Sequence, residues 1–129
     1  MIKSIKTNES PQAIGPYSQA IIAGDFIFVS GQIGINPKDN SINYENIEKE
    51  AKQVLENLEN ILKSIDLDFS SVVKTEIFIK DMKNFNAINR VYESFFKFDP
   101  KPARSTVEVS NLPKEVNIEI SLIAYKKNG

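Results

Sequence analysis

The sequence predicts an α+β fold, a mixed sheet of about six strands covered on one face by two α-helices. Two segments, 46–65 and 82–97, carry apolar residues at helical spacing, while most of the remainder consists of short β-rich runs separated by turn residues. Their order is two strands, helix, strand, helix, two strands, with a further strand at Ile2–Lys6. No repeat or low-complexity stretch interrupts it, so 1–129 reads as one domain. At this length a single domain buries roughly two thirds of the surface that its unfolded chain exposes.

The first apolar region is "SQAIIAGDFIFVSGQIGI", in which Gly24 and Asp25 stand between a pair of β-rich runs as a hairpin turn would. In the second run Phe26, Phe28 and Ser30 share one face and Ile27 and Val29 the other. Gly31 follows where a bulge or a close backbone approach calls for a residue without a side chain. After the turn chemistry of "NPKDNS", Ile47, Ala51, Val54, Leu55, Leu58, Ile61, Leu62 and Ile65 fall on one helical face, with Glu48, Lys52, Glu56, Glu59 and Lys63 on a solvated one. "SVVKTEIFIKD" returns to period two, with Val73, Thr75, Ile77 and Ile79 on one side, and Asp81 is placed to cap a second helix. That helix, near Met82 to Lys97, bears an aromatic stripe of Met82, Phe85, Ile88, Tyr92, Phe95 and Phe96, which reads as core, with Asn89 beside it.

Two strands close the chain, Ala103–Asn111 and Val116–Lys126, joined by "LPKE". In the last one Val116, Ile118, Ile120, Leu122 and Ala124 form the apolar side and Glu119 faces away from it. If these two strands pair, Glu119 can share a face with Arg104. Two helices cover only one side of such a sheet, and self-association is the simplest cover for the other.

Charge and composition exclude several classes of function. With 16 basic and 17 acidic residues there is no global field to attract nucleic acid or an anionic membrane. "MIKSIKTNES" has no apolar signal core and no apolar run approaches the roughly 18 residues of a membrane span, so a soluble cytoplasmic protein is expected. The chain has no cysteine and no histidine. Disulfides, thiolate nucleophiles, Ser-His-Asp triads and the usual zinc sites are thereby excluded. Proton transfer falls to carboxylates, tyrosine, lysine, backbone groups or water. No clustered-aspartate spacing for magnesium or calcium is present, and no metal is expected.

"KPARSTVEVS" raises the sharpest residue-level question, because Arg104 opens an alternating strand directly behind "KP". Two readings are open. A strand arginine is commonly a solvated edge residue; alternatively, its planar five-donor fork is aimed at a carboxylate or phosphate.

The motifs "AIGPYSQA", "FVSGQIGINP", "VVKTEIFIKDM", "NRVYESFF", "PARSTVEVSNLPK" and "NIEISLIA" span nearly the whole chain. In order and spacing they resemble the RidA (YjgF) family of reactive intermediate deaminases. The resemblance implies a chorismate-mutase-like fold assembled as a homotrimer, with sheets lining an inner barrel and active sites in the clefts between subunits. It implies hydrolysis of 2-imino acids, or their enamine tautomers, to 2-keto acids and ammonia. Such imines are released by pyridoxal-phosphate dehydratases, so the protein itself needs no cofactor and no metal. Position by position, the family's carboxylate-binding arginine falls on Arg104 and its acidic residue near the reacting water on Glu119. Tyr17, Ser30, Gly31 and Asn89 match positions lining the cleft. Where many members have a cysteine two residues after the arginine, this chain has Thr106, so a covalent or redox role is unavailable there and the backbone at Thr106 is expected to serve the site.

Two further classes of function stay open at this point. The same cleft would suit a keto acid or amino acid binding protein without turnover, and Glu119 would then be a structural strand carboxylate. A ribonuclease activity, attributed to some relatives, is opposed by the balanced charge and the missing histidine.

Overall fold

The computed structural model describes residues 2–126 and gives a mixed six-stranded sheet with both helices on one face. The strands are β1 (Ile2–Ile5), β2 (Ala20–Ala23), β3 (Phe26–Gln32), β4 (Val72–Ile79), β5 (Ala103–Glu108) and β6 (Ile118–Tyr125), and the helices are α1 (Ile47–Lys63) and α2 (Phe85–Phe95). Across the sheet the order is β1-β2-β3-β6-β4-β5. Only β4 and β5 run parallel, and α2 makes the crossover between them that parallel neighbours require.

The hairpin between β2 and β3 turns on Gly24 and Asp25, with Gly24 at φ 62°, a value natural to glycine. β3 then bulges. Val29 stands opposite Leu122 and Gln32 opposite Ile120, so the extra residue falls at Ser30–Gly31, as the glycine predicted. α1 starts at Asn46, whose side chain accepts the Lys49 N–H at 3.0 Å, and the acidic first turn suits the helix dipole. Asp81 caps a short 3-10 turn, Met82–Asn84, that leads into α2, so the α-helix proper begins three residues later than the sequence predicted.

Ala51, Val54, Leu55, Leu58, Ile61 and Leu62 of α1 and Ile88, Tyr92 and Phe96 close against Ile27, Val29, Ile77, Ile79, Ile118, Ile120 and Leu122 of the sheet. Each fully buried leucine or isoleucine there stabilises the fold by about 1.5–3 kcal/mol. The central strand is β6, last in the chain, and its alternation of buried and half-buried residues is the predicted one.

Two expectations are corrected. Val73 does not share the face of Thr75, Ile77 and Ile79: the register shifts between Val72 and Lys74, so Val72 is buried and Val73 is exposed. Nor do β5 and β6 pair. Both flank β4, where Arg104 stands opposite Thr75, a core-facing residue, and Glu119 opposite Phe78 on the other side. Arg104 and Glu119 therefore lie on opposite faces of the sheet. The face without helices presents Phe26, Phe28, Val107 and Tyr125, each about two fifths exposed, and between them the Lys74–Glu76 ion pair at 3.9 Å.

Candidate active site

The bulge in β3 builds the first half of the site. Ser30 is held on both sides, its N–H donating to Gln19 O at 2.9 Å and its Oγ to Ser18 O at 2.6 Å, so the segment before β2 runs back along the end of β3. Gly31 then lies under Glu119. A Cβ at Gly31 would come within 2.5 Å of Glu119 Oε2 and 2.7 Å of its Cδ, so only glycine lets the carboxylate lie against this backbone.

A cavity of about 610 Å³ opens there, and Tyr17, Ser30, Gly31 and Glu119 all line it, together with Ile14, Gln19, Ile33, Ile35 and Lys114. Its walls are pinned from behind. Gln19 donates to the carbonyls of Thr7 and Pro11 and accepts from Thr7 N, and Asn57 of α1 donates to the carbonyls of Ile33 and Ile35 at 3.1 and 2.9 Å. Ser10 reaches the Asn57 carbonyl at 2.6 Å. Within this cavity the Glu119 carboxylate accepts no hydrogen bond from any described residue, and burial raises its pKa above the ordinary 4.5. A carboxylate without donors of its own and with an elevated proton affinity is suited to take a proton from water.

Arg104 and Asn89 form a separate, shallower hollow of about 260 Å³ with Tyr92, Glu93, Phe96, Lys101 and Pro102, and the Asn89 amide donates to Glu93 Oε1 at 3.3 Å. Arg104 Nη1 donates to Asn89 Oδ1 at 2.6 Å, and the guanidinium lies 4.9 Å from the Tyr92 ring centroid and 5.7 Å from that of Phe85. Tyr92 is fixed in turn by a 2.8 Å hydrogen bond with Thr75. Burial raises the Tyr92 pKa despite the opposing effects of the Thr75 bond and the Arg104 charge. Arg104 forms no ion pair among the described residues. An aromatic floor and one amide thus orient the fork while leaving its charge open to an anion.

The predicted residues therefore fall into two groups, Tyr17, Ser30, Gly31 and Glu119 in one hollow and Arg104 and Asn89 in the other. Thr106 lines neither, and its buried Oγ1 has no hydrogen-bond partner. Sequence reasoning missed Glu50, Asn57, Gln19 and Lys114. The first two had a signal: each interrupts the apolar stripe of α1, Glu50 between Ile47 and Val54 and Asn57 between Val54 and Ile61. Among the described residues no cluster of histidine, cysteine, aspartate and glutamate is placed to hold a metal, and no helix is long and apolar enough to cross a membrane.

Comparison with known proteins adds a lineage to this geometry. The profile of the endoribonuclease L-PSP family matches residues 7–126. A RutC family protein of Pyrococcus horikoshii is 47% identical over 127 residues, covering 98% of this chain and 100% of its own. A 2-iminobutanoate/2-iminopropanoate deaminase of Salmonella typhimurium is 42% identical over 129 residues, again covering 98% and 100%. Among solved structures, a Rid family protein of Yersinia pestis superposes with a TM-score of 0.94 at 43% identity, over 97% of this chain and 99% of that one. E. coli TdcF with bound serine gives 0.91 at 38% identity, over 97% and 99%.

Proposed function

Since the chain belongs to the endoribonuclease L-PSP family, the YjgF/RidA family, we propose that it is a cytoplasmic deaminase that hydrolyses 2-imino acids and their enamine tautomers, such as 2-iminobutanoate and 2-iminopropanoate. The observation that carries this reading is Glu119, a partly desolvated carboxylate seated on Gly31 and facing a cavity walled by Tyr17 and Ser30. Arg104 holds the substrate carboxylate in a bidentate pair. Because Arg104 and Glu119 lie on opposite faces of one sheet, the working site joins Arg104 and Asn89 of one copy to the Glu119 cavity of another, in a homotrimer.

Glu119 takes a proton from water as the water oxygen bonds to the imine carbon, and the C=N electron pair moves to nitrogen. In the carbinolamine so formed from the protonated imine, Glu119 returns its proton to nitrogen. The freed carboxylate accepts the hydroxyl proton as the C–N bond breaks, giving the 2-keto acid and ammonia and leaving a proton on Glu119 that passes to solvent. A protonated imine is already a strong electrophile, so positioning supplies much of the acceleration. Neither a cofactor nor a metal is required. The backbone of Ser30–Gly31, and that of Thr106 on the free edge of β5, holds the polar ends of the substrate.

The deaminase name of the Salmonella relative and the α-amino acid bound to TdcF support this substrate class. The serine complex also favours a second reading, an amino acid or keto acid binder without turnover. Threonine dehydratase, assayed for 2-oxobutanoate release with and without the purified protein, separates the two. A deaminase accelerates keto acid appearance from the free imine, and an unchanged rate would leave the binder. A gel assay of RNA cleavage by tag-free protein, expected to be negative, tests the activity in the family's name.

A further inference from the structure

Beneath the Glu119 cavity lies a buried carboxylate that the reaction does not use. Glu50, in the first turn of α1, is fully buried and forms no ion pair among the described residues. Its two oxygens are both taken by Asn117: Oε2 accepts the backbone N–H and Oε1 the side-chain amide, each at 2.8 Å. The same amide reaches Tyr44 O at 3.2 Å, and Tyr44 Oη donates to Lys114 O at 2.9 Å. Lys114 and Glu115 both have φ 55°, a left-handed conformation unusual for side-chain-bearing residues, and Lys114 lines the Glu119 cavity. Gly34 completes the seat, since a Cβ there would come within 2.9 Å of both Glu50 Cγ and Glu50 O.

We propose that Glu50 is the positioning residue of this site, holding through Asn117 both the start of β6, which aims Glu119, and the Tyr44-bound turn at Lys114. Burying a carboxylate without a cation is costly, and a core that needed only volume would place an apolar residue here. The partner's chemistry explains the choice. Asn117 presents two N–H donors to one side chain, and a carboxylate is the side chain that accepts both; glutamine would oppose its own amide to one of them. Asn117 immediately precedes β6, two residues before Glu119, so any shift in its backbone is passed to the carboxylate packed against Gly31. The catalytic consequence rests on reading Glu119 as the base, whereas the positioning itself does not.

The test uses Glu50→Gln, Asn117→Ala and the double variant of the full chain, each checked for wild-type assembly. The first readout is the titration of the Glu119 carboxyl, followed by NMR of carboxyl-labelled glutamate and assigned by its loss in Glu119→Gln. Loosening the strand admits water, so in both single variants the midpoint is expected to fall from its elevated value toward that of an ordinary glutamate. The second readout is kcat for imine hydrolysis beside 2-oxobutanoate affinity. Misplacing the base is expected to lower kcat by roughly tenfold to a hundredfold while product binding, which Arg104 governs, is nearly unchanged. The double variant is expected to be no worse than the poorer single one, because both act through one link. A Glu119 titration identical to wild type in both single variants would overturn the proposal, as would multiplicative losses in the double. If the titration moves in a protein that hydrolyses no imine, the positioning role stands and the deaminase reading falls.

Discussion

Glu119 sits where its negative charge is costly, and the sign of the cost can be measured. Its folded pKa lies above the ordinary 4.5 because of burial, so between those two values the native chain holds the proton more tightly than the unfolded chain does. The contribution to stability is therefore fully present below 4.5 and is lost as pH rises through the folded value. Glu119→Gln removes that loss. The variant is expected to melt higher than wild type at neutral pH, with the difference closing in acid, while hydrolysis falls further than keto acid affinity. Melting curves and kinetics across pH check this, and full turnover in the variant would make Glu119 structural. Arg104 carries the complementary prediction. Arg104 is exposed in the single chain and becomes enclosed only in the proposed shared cleft. Losing one partner of a charge pair so enclosed costs on the order of 2–5 kcal/mol, so Arg104→Ala is expected to weaken 2-oxobutanoate binding roughly thirtyfold to several thousandfold. Arg104→Lys is expected to recover only a fraction, since an ammonium lacks the bidentate fork. Equal calorimetric affinities across the three proteins would end the clamp. The motifs named Tyr17, Ser30, Gly31, Glu119, Arg104 and Asn89, and the structure gathers these residues into two hollows. Their separation onto two faces was not legible in the sequence, because it depends on which strand lies between them.

At the scale of elements, period and phase behaved differently. Strict alternation in β6 correctly assigned its inward side chains, since the strand runs without a bulge. In β4 one extra residue at the start reversed the phase of Val73, and composition carries no mark of a bulge where no glycine announces it. Gly31 did announce the one in β3. The position of β6 between β3 and β4 is a long-range pairing that local pattern does not encode. α1 was legible as a helix and misjudged as a simple amphipath, because its polar residues Glu50 and Asn57 serve the loops packed on it. Asn57→Ala is accordingly expected to be more harmful than a surface change. The Ile33 and Ile35 carbonyls lose their donor, at about 1–3 kcal/mol for each group left unsatisfied. A urea titration would register this as a lower midpoint at unchanged slope, and an unchanged midpoint would mean that water replaces the amide freely.

For the whole molecule, the uncovered sheet face is the feature that the chain alone does not resolve. Phe26 and Tyr125 pack in a tilted pair, centroids 5.4 Å apart and ring planes at 58°, on a surface that also exposes Phe28 and Val107, an apolar display of the kind that marks an interaction face. Light scattering after size exclusion is expected to give three times the 14.5 kDa of the chain, and a clean monomer mass would remove the shared-site proposal. The opposite-face placement of Arg104 and Glu119 also has a genetic meaning. Under the proposed shared site, Arg104→Ala and Glu119→Gln are expected to damage different halves of each cleft, so mixed assemblies would contain some clefts that draw both intact halves from different chains. With equal amounts and random assembly, each half is intact in one case out of two, and about one quarter of the clefts regain both. Co-refolding the two variants is thus expected to recover activity that neither has alone, whereas a site built within one chain would recover none.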